Sequence, residues 1–431
     1  MSMVQRSLSN TFNKFFDSEK SSGMLLVACT VISLLIANSP IGADYLSLWR
    51  TPVGGLSVED WINDALMAIF FLLIGLELER ELYSGELSNF RNALLPIVAA
   101  IGGMVVPALI HFSLNAGTPT QAGIGIPMAT DIAFALGVLA ILGKRIPASL
   151  KVFVVAFAVI DDLGAIVIIA VFYTARLSVG YLAGALALWA LLIALNRLRV
   201  VSLVPYLLGG VLMWLLMLKS GVHATIAGVM LAFAIPFSTK DEDEKSPSHK
   251  LELFLQKPVA FVILPIFALA NTGIVVGADW IENATSANSA GIIAGLFLGK
   301  PLGVTLLCFV AVTGGLCRLP PDLSWRHVFG AGMLGGIGFT MSIFITNLAF
   351  GGNGEAVNGA KMAILLASLT AGVIGFLWLR RFGEPAAADG TTDTMGLELT
   401  REDILRRVAL SRDAATTGAD PQCVAACGGV S

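Results

Sequence analysis

Between Val152 and Tyr173 the chain reads VFVVAFAVIDDLGAIVIIAVFY, apolar throughout except for Asp161 and Asp162 at its middle. As a helix this run extends roughly 33 Å at about 1.5 Å per residue, enough to cross the hydrocarbon core of a bilayer. Backbone in that medium must satisfy its own polar groups, which makes helix the expected conformation. Both aspartates then lie near the midplane, where each ionised acid costs on the order of 3 kcal/mol on insertion scales. Charges held at that cost mark a functional site by default.

The rest of the chain agrees with a polytopic membrane protein. Of 431 residues 56% are hydrophobic and only 13% charged, about half the charge of a typical soluble domain. The 27 Lys and Arg nearly balance the 30 Asp and Glu, and nothing in their distribution suggests nucleic-acid binding. Five cysteines, three of them in or beside apolar runs, imply no disulfide framework, and the C-x3-C of Cys423 and Cys427 has no histidine nearby to make a metal site. About twelve apolar segments are expected, at 22–39, 60–78, 93–114, 121–142, 150–173, 178–196, 203–218, 221–237, 254–276, 289–312, 327–350 and 359–380. They define an all-α transmembrane domain over 22–382, after a short N-terminal segment, 1–21, and before a polar tail, 383–431, with one short helix expected at Arg401–Leu410. With the N-terminus inside, about 18 basic residues fall on the cytoplasmic side against 4 outside, which places both termini in the cytoplasm. In the outer loop RTPVGGLSV, Gly54-Gly55 is a turn signal for a small β-hairpin.

Two spans carry breaks. In GIGIPMATDIAFALG (Gly123–Gly137), Pro127 removes a helical hydrogen bond and disfavours helical geometry at Ile126, just before Thr130 and Asp131. In GAGMLGGIGFTMSIF (Gly330–Phe344), Gly335, Gly336 and Gly338 weaken the helix near its centre, although glycines also serve close helix packing. Interrupted segments at corresponding places in two three-helix units, 93–173 and 289–380, point to an inverted-repeat transporter with its site where the broken helices cross. At such a crossing, Asp131 would offset the positive helix ends and Lys300 the negative ones.

Adjacent aspartates point about 100° apart on a helix. One of Asp161 and Asp162 is therefore expected to face the ion and the other a partner, for which Lys300 in AGLFLGKPLG is the candidate. Desolvation and like charge penalise the doubly ionised pair, so a proton or a metal cation must supply counter-charge. That competition suffices for exchange. Carboxylates of Asp161 and Asp162 with the Thr130 hydroxyl are hard oxygen donors, suited to a small hard cation rather than zinc or copper; donor type does not choose between Na⁺, Li⁺ and K⁺. Three further features stand apart: Asp64 in WINDALMAIFFLL, His223 in KSGVHATIAG, and GLELERELYSGE, where Glu77 and Arg80 pair at i,i+3 beside Glu79 and Glu81. The last is either a solvated helix end or an acidic funnel for cations, extended by Glu252.

In WINDALMAIFFLLIGLELERELYSGEL, AAIGGMVVPAL, ATDIAFALGVLA, AVIDDLGAIVIIAVFYT, LKSGVHATIAGV, GLFLGKPLG and GIGFTMSIFI the chain resembles the NhaA family of bacterial Na⁺/H⁺ antiporters over about residues 12–382. The resemblance implies twelve helices in two inverted repeats with crossing, unwound fourth and eleventh spans. It implies Asp162 and Asp161 as ion and proton carriers, Lys300 as their positive partner, and Thr130 and Asp131 at the crossing. Asp64 and His223 become accessory, and Glu77, Arg80, Glu81, Lys250 and Glu252 a pH-responsive cluster. It further implies a homodimer helped by the outer hairpin, no cofactor, and electrogenic exchange of one Na⁺ or Li⁺ for two H⁺. The sequence departs from the family where Glu79 stands in place of a basic residue, and where Leu253 and Gln256 stand in place of histidines. A proton-coupled solute symporter is the nearer rival, though few groups beyond Thr130 would bind an organic solute. An intramembrane aspartyl protease using Asp131 with Asp161 or Asp162 as its dyad leaves Lys300 and the second break unexplained.

Overall fold

The computed structural model describes residues 21–173, 177–237, 246–277, 280–351 and 353–384, all within one compact unit, Met1–Ala386. The N-terminal segment up to residue 20, part of the inner loop (238–245) and the tail with its expected helix at Arg401–Leu410 lie outside the described residues. In chain order the main elements are α1 (Ser21–Ala37) and α2 (Gly42–Arg50), then β1 (Pro52–Val53), β2 (Leu56–Ser57), α3 (Val58–Tyr83) and α4 (Asn92–Asn115). They continue with α5 (Gln121–Met128), α6 (Ile132–Leu142), α7 (Ala148–Phe172), α8 (Val179–Arg197), α9 (Leu203–Ser220) and α10 (Ile226–Ala232). The last are α11 (Pro247–Asn271), α12 (Ala287–Thr313), α13 (Trp325–Gly335), α14 (Phe339–Phe350) and α15 (Gly354–Phe382).

Among the described residues nine helices are long and apolar enough to span a membrane, and up to eleven when the bent pairs α1–α2 (114°) and α13–α14 (46°) each count as one. The remaining expected span, 221–237, contains only the 7-residue α10 between irregular segments, about 10 Å of helix and too short to cross. The outer hairpin is present: Pro52 pairs with Ser57 and Val53 with Leu56, and Gly54 and Gly55 take φ of +61° and +93°, the left-handed pair a two-residue turn demands. Ser57 and Asp60 cap the following helix reciprocally.

What positions the site is the contact between two sets of three helices, α4 with α5–α6 and α7, and α12 with α13–α14 and α15. The middle member of each is interrupted. Gly102 of α4 and Gly303 of α12 meet backbone to backbone, so a Cβ on either would overlap the other's carbonyl. That approach, available only to small residues, fixes α12 closely against α4. One turn of α12, Gly295–Gly299, widens so that Lys300 N–H donates to the Gly295 carbonyl five residues back. The widened turn lies immediately before the one lysine that the apolar run carries.

The first break differs in detail from the sequence expectation. The chain keeps a tight 3₁₀ turn through Ile126 and Pro127 to Met128, and becomes extended at Ala129–Asp131, with ψ of 150° at Ala129 and 99° at Asp131. Three-residue hydrogen bonding absorbs the proline, so the interruption falls just after it. At the second break no glycine needs a left-handed backbone: Gly336 and Gly338 have φ of −70° and −87°. Space is the constraint instead. A Cβ on Gly336 would overlap the Leu296 carbonyl, one on Gly338 would meet Ser342, and one on Gly335 would stand 2.9 Å from the Phe157 ring.

Candidate ion-binding site at the crossing

The two breaks hold one another. Asp131 N–H donates to the Ile337 carbonyl at 2.6 Å, Thr130 Oγ1 donates to the Gly335 carbonyl at 2.9 Å, and Ser342 Oγ donates to the Ile126 carbonyl at 2.7 Å. Backbone polar groups exposed by unwinding are thereby satisfied within protein, as membrane burial requires.

Asp131 caps two helices at once. Its Oδ1 accepts from Phe134 N at 3.1 Å in the first turn of α6. Its Oδ2 accepts from Thr340 N at 3.1 Å in the first turn of α14, and from the Thr340 hydroxyl. Both positive helix ends thus share one carboxylate. The negative end of α13 is met indirectly. Lys300 Nζ donates to Thr130 Oγ1 at 2.9 Å, and that hydroxyl passes the polarisation on to the Gly335 carbonyl.

Lys300 is fully buried. Its ammonium is 2.5 Å from Asp161 Oδ2 and 5.5 Å from the centre of the Phe157 ring, so an ion pair, a hydroxyl and a π-face replace its hydration. Asp162 is different. It is 1% exposed, and neither carboxylate oxygen has a hydrogen-bond partner among the described residues; Asp161 Oδ1 also lacks one. The charged groups acting on Asp162 are Asp161, Asp131, Lys300 and Glu77, three acids against one base. Three buried acceptor oxygens on neighbouring residues, in a field short of positive charge, are a place for a proton or a small cation. Among the described residues no group of three or more His, Cys, Asp or Glu side chains is arranged to hold a metal ion, so a cation here would rest on two carboxylates with hydroxyl and carbonyl oxygens.

At the end of α3 a second group of charges gathers. Arg80 meets Glu81 at 3.0 Å, Glu252 at 3.0 Å and Glu77 at 3.9 Å. His249 Nδ1 is 3.5 Å from Glu252, and Ser248 Oγ donates to Glu79 at 3.0 Å. Lys250 is exposed, and none of the ion pairs described includes it. Ser248 and His249, unmarked in the sequence reading, take the places nearest the acids because α11 turns that face towards α3. Asp64 sits in another widened turn, Ile62–Leu66, where Trp214 Nε1 donates to its carbonyl at 3.1 Å. His223, in the irregular segment between α9 and α10, lies against the backbone of Tyr173 just past the end of α7. Thr340, Ser342 and Phe157 complete the site without having been singled out by sequence; the string GIGFTMSIF contains both hydroxyls, but nothing in it says which faces Asp131.

Comparison with known proteins shows the family. The family described as Na⁺/H⁺ antiporter 1 matches residues 13–379. A protein named Na⁺/H⁺ antiporter NhaA from Dechloromonas aromatica (strain RCB) is 69% identical over 383 residues, covering 89% of this chain and 98% of its own. Namesakes from Cytophaga hutchinsonii and Helicobacter pylori (strain HPAG1) are 59% and 46% identical, covering 86% and 89% of this chain and 95% and 98% of theirs. All the strings that carry the resemblance fall inside the matched span, and the chain belongs to the Na⁺/H⁺ antiporter 1 family.

Proposed function

We propose that this chain is a secondary active transporter that expels Na⁺ or Li⁺ in exchange for external H⁺, two protons per cation and therefore electrogenically. One observation carries the reading: both oxygens of Asp162 are buried without a partner beside an Asp161 held by Lys300. The family description and the relatives' printed name support it. Facing inward and deprotonated, Asp162 binds the cation with Asp161. Rocking of the crossing exposes the site outward, where protons displace the ion. The second proton belongs to the coupled group of Asp161 and Lys300, whose ionisations are not separable into independent residues.

The acid-rich cluster around Arg80 serves as the pH-responsive element. Glu77 belongs both to it, through Arg80, and to the field at Asp162, so a change of charge in the cluster reaches the ion. The protein works in the bacterial inner membrane with both termini cytoplasmic, as a homodimer whose hairpin of β1 and β2 adds to the contact.

The test is dequenching of a pH dye in proteoliposomes as Na⁺, Li⁺ or K⁺ is added across a pH series. Na⁺ and Li⁺ release protons from the lumen in the wild type and do nothing with Asp162→Asn. Normal Na⁺-driven proton movement by that variant would overturn the assignment, and a reversal potential fitting one proton per cation would overturn the stoichiometry.

A further inference from the structure

Beside the crossing the molecule is grooved. A cavity of about 510 Å³ opens between α1, α6 and α15, with Val27, Val31, Val138, Ile141, Val373 and Leu377 along its walls. Its floor is the back of the ion site, formed by Phe134, Ile337, Phe339 and Ser368. Ile337 gives its carbonyl to Asp131 N–H, Phe134 N donates to Asp131 Oδ1, and Phe339 N donates to Ser368 Oγ at 3.1 Å. Whatever fills the groove therefore presses on residues that hold the two breaks together.

One end of the groove is basic. Arg380 and Arg381 follow Leu377 within one turn of α15, so they continue its face, and both are exposed. The guanidiniums of Arg381 and Arg326 lie 5.2 Å and 5.1 Å from the ring centre of Phe382, which puts both at the end of α15. Gly383 approaches Ile146, 3.1 Å from where its Cβ would stand, bringing exposed Arg145 to the same end. Among the described residues the nearby acids are Asp322, which accepts from Ser149 Oγ at 2.7 Å, and Glu384, so four arginines there exceed the acids by two charges. An apolar slot of this kind inside the membrane, ending in uncompensated guanidiniums at its edge, matches an acyl chain below an anionic headgroup.

We propose that this groove binds one anionic phospholipid, its acyl chain against Phe134, Ile337 and Phe339 and its phosphate on the arginines at the end of α15. The lipid then braces the crossing from behind, and its headgroup charge selects it from the surrounding bilayer.

The test uses the full chain in vesicles with two photoreactive lipids carrying a diazirine in the same acyl position, a phosphatidylglycerol and a phosphatidylcholine, followed by peptide mapping. Labelling of 27–34 and 369–377 by the anionic probe exceeds that by the zwitterionic one by at least about fivefold, the factor expected for one basic residue at a charged surface. Arg380→Gln with Arg381→Gln removes the preference and the corresponding Lys variants keep it. Gly372→Leu, which points into the groove, lowers labelling by both probes. Equal labelling by the two lipids would overturn the proposal, as ordinary bilayer contact. So would absence of label with crosslinks from this face to a second copy, or to the chain's own first twenty residues.

Discussion

The crossing and the cluster at the end of α3 both concentrate charge, and they do so by opposite rules. At the crossing, the oxygens of Asp162 are left without partners in full burial. In the cluster, Arg80 sits among Glu77, Glu81 and Glu252 with its side chain 32% exposed, and the acids share it. The first arrangement is costly unless something enters it. In the second the acids share one cation in reach of water, and the proposed function has it answer to pH by small redistributions rather than by taking up a ligand. On the proposed function the two divide the work: one place is incomplete until an ion enters, and the other reports on the compartment without competing for that ion.

Substitutions at the two places should differ accordingly. Lys300→Ala strands Asp161 in a buried site, and breaking such a pair costs about 3–5 kcal/mol. Thermal unfolding in detergent should show the largest destabilisation of the series; a melting temperature unchanged from wild type would mean that the crossing is wetter than its burial implies. Asp131→Ala removes the cap of two helices, at about 1 kcal/mol each, and Thr340→Val removes about 1 kcal/mol of that same contact. The pair should be less than additive in a double-mutant cycle, because both changes break one hydrogen bond. Full additivity would say that Asp131 and Thr340 act apart.

Arg80→Gln tests the other side of the contrast. Partial exposure limits its stability effect to about 1 kcal/mol or less. Its main effect is on the pH profile: removing the positive charge that the acids share moves the onset of exchange to more alkaline pH. A profile that stays in place would separate the cluster from regulation. Smallest of all is Lys250→Ala, which should leave melting temperature and pH profile within error, since the side chain is exposed and surface changes of this kind stay within about 0.5 kcal/mol. A displaced profile would support the role in the pH-responsive cluster that the family resemblance implies for Lys250.

How far the sequence reached depends on whether a feature is local. The broken spans, the hairpin glycines and the pairing of Lys300 with one of two aspartates are legible because a proline, a turn dipeptide or an isolated charge in an apolar run has few acceptable settings. Which aspartate takes the lysine was not legible, since neighbours 100° apart on α7 are distinguished only by where α12 lies. Thr340 is 209 residues from Asp131, and Ser248 is 169 from Glu79; no spacing rule links positions so distant. His249, three residues before Glu252, was within reach of the i,i+3 rule but lies in a segment that no expected span covers. The glycines of the second break were read as weakening the helix, and their stronger effect is steric: they admit Phe157 and the Leu296 carbonyl, which only the packed structure shows.

The central claim is that one buried carboxylate pair holds either protons or a sodium ion. Purified protein in weakly buffered detergent solution, titrated with NaCl while both bound Na⁺ and released H⁺ are recorded, tests it without a membrane or a gradient. Proton release should accompany Na⁺ binding, Na⁺ affinity should fall as the pH is lowered, and Asp162→Asn should show neither signal. Sodium bound with the same affinity at every pH, with no acid released, would contradict the account.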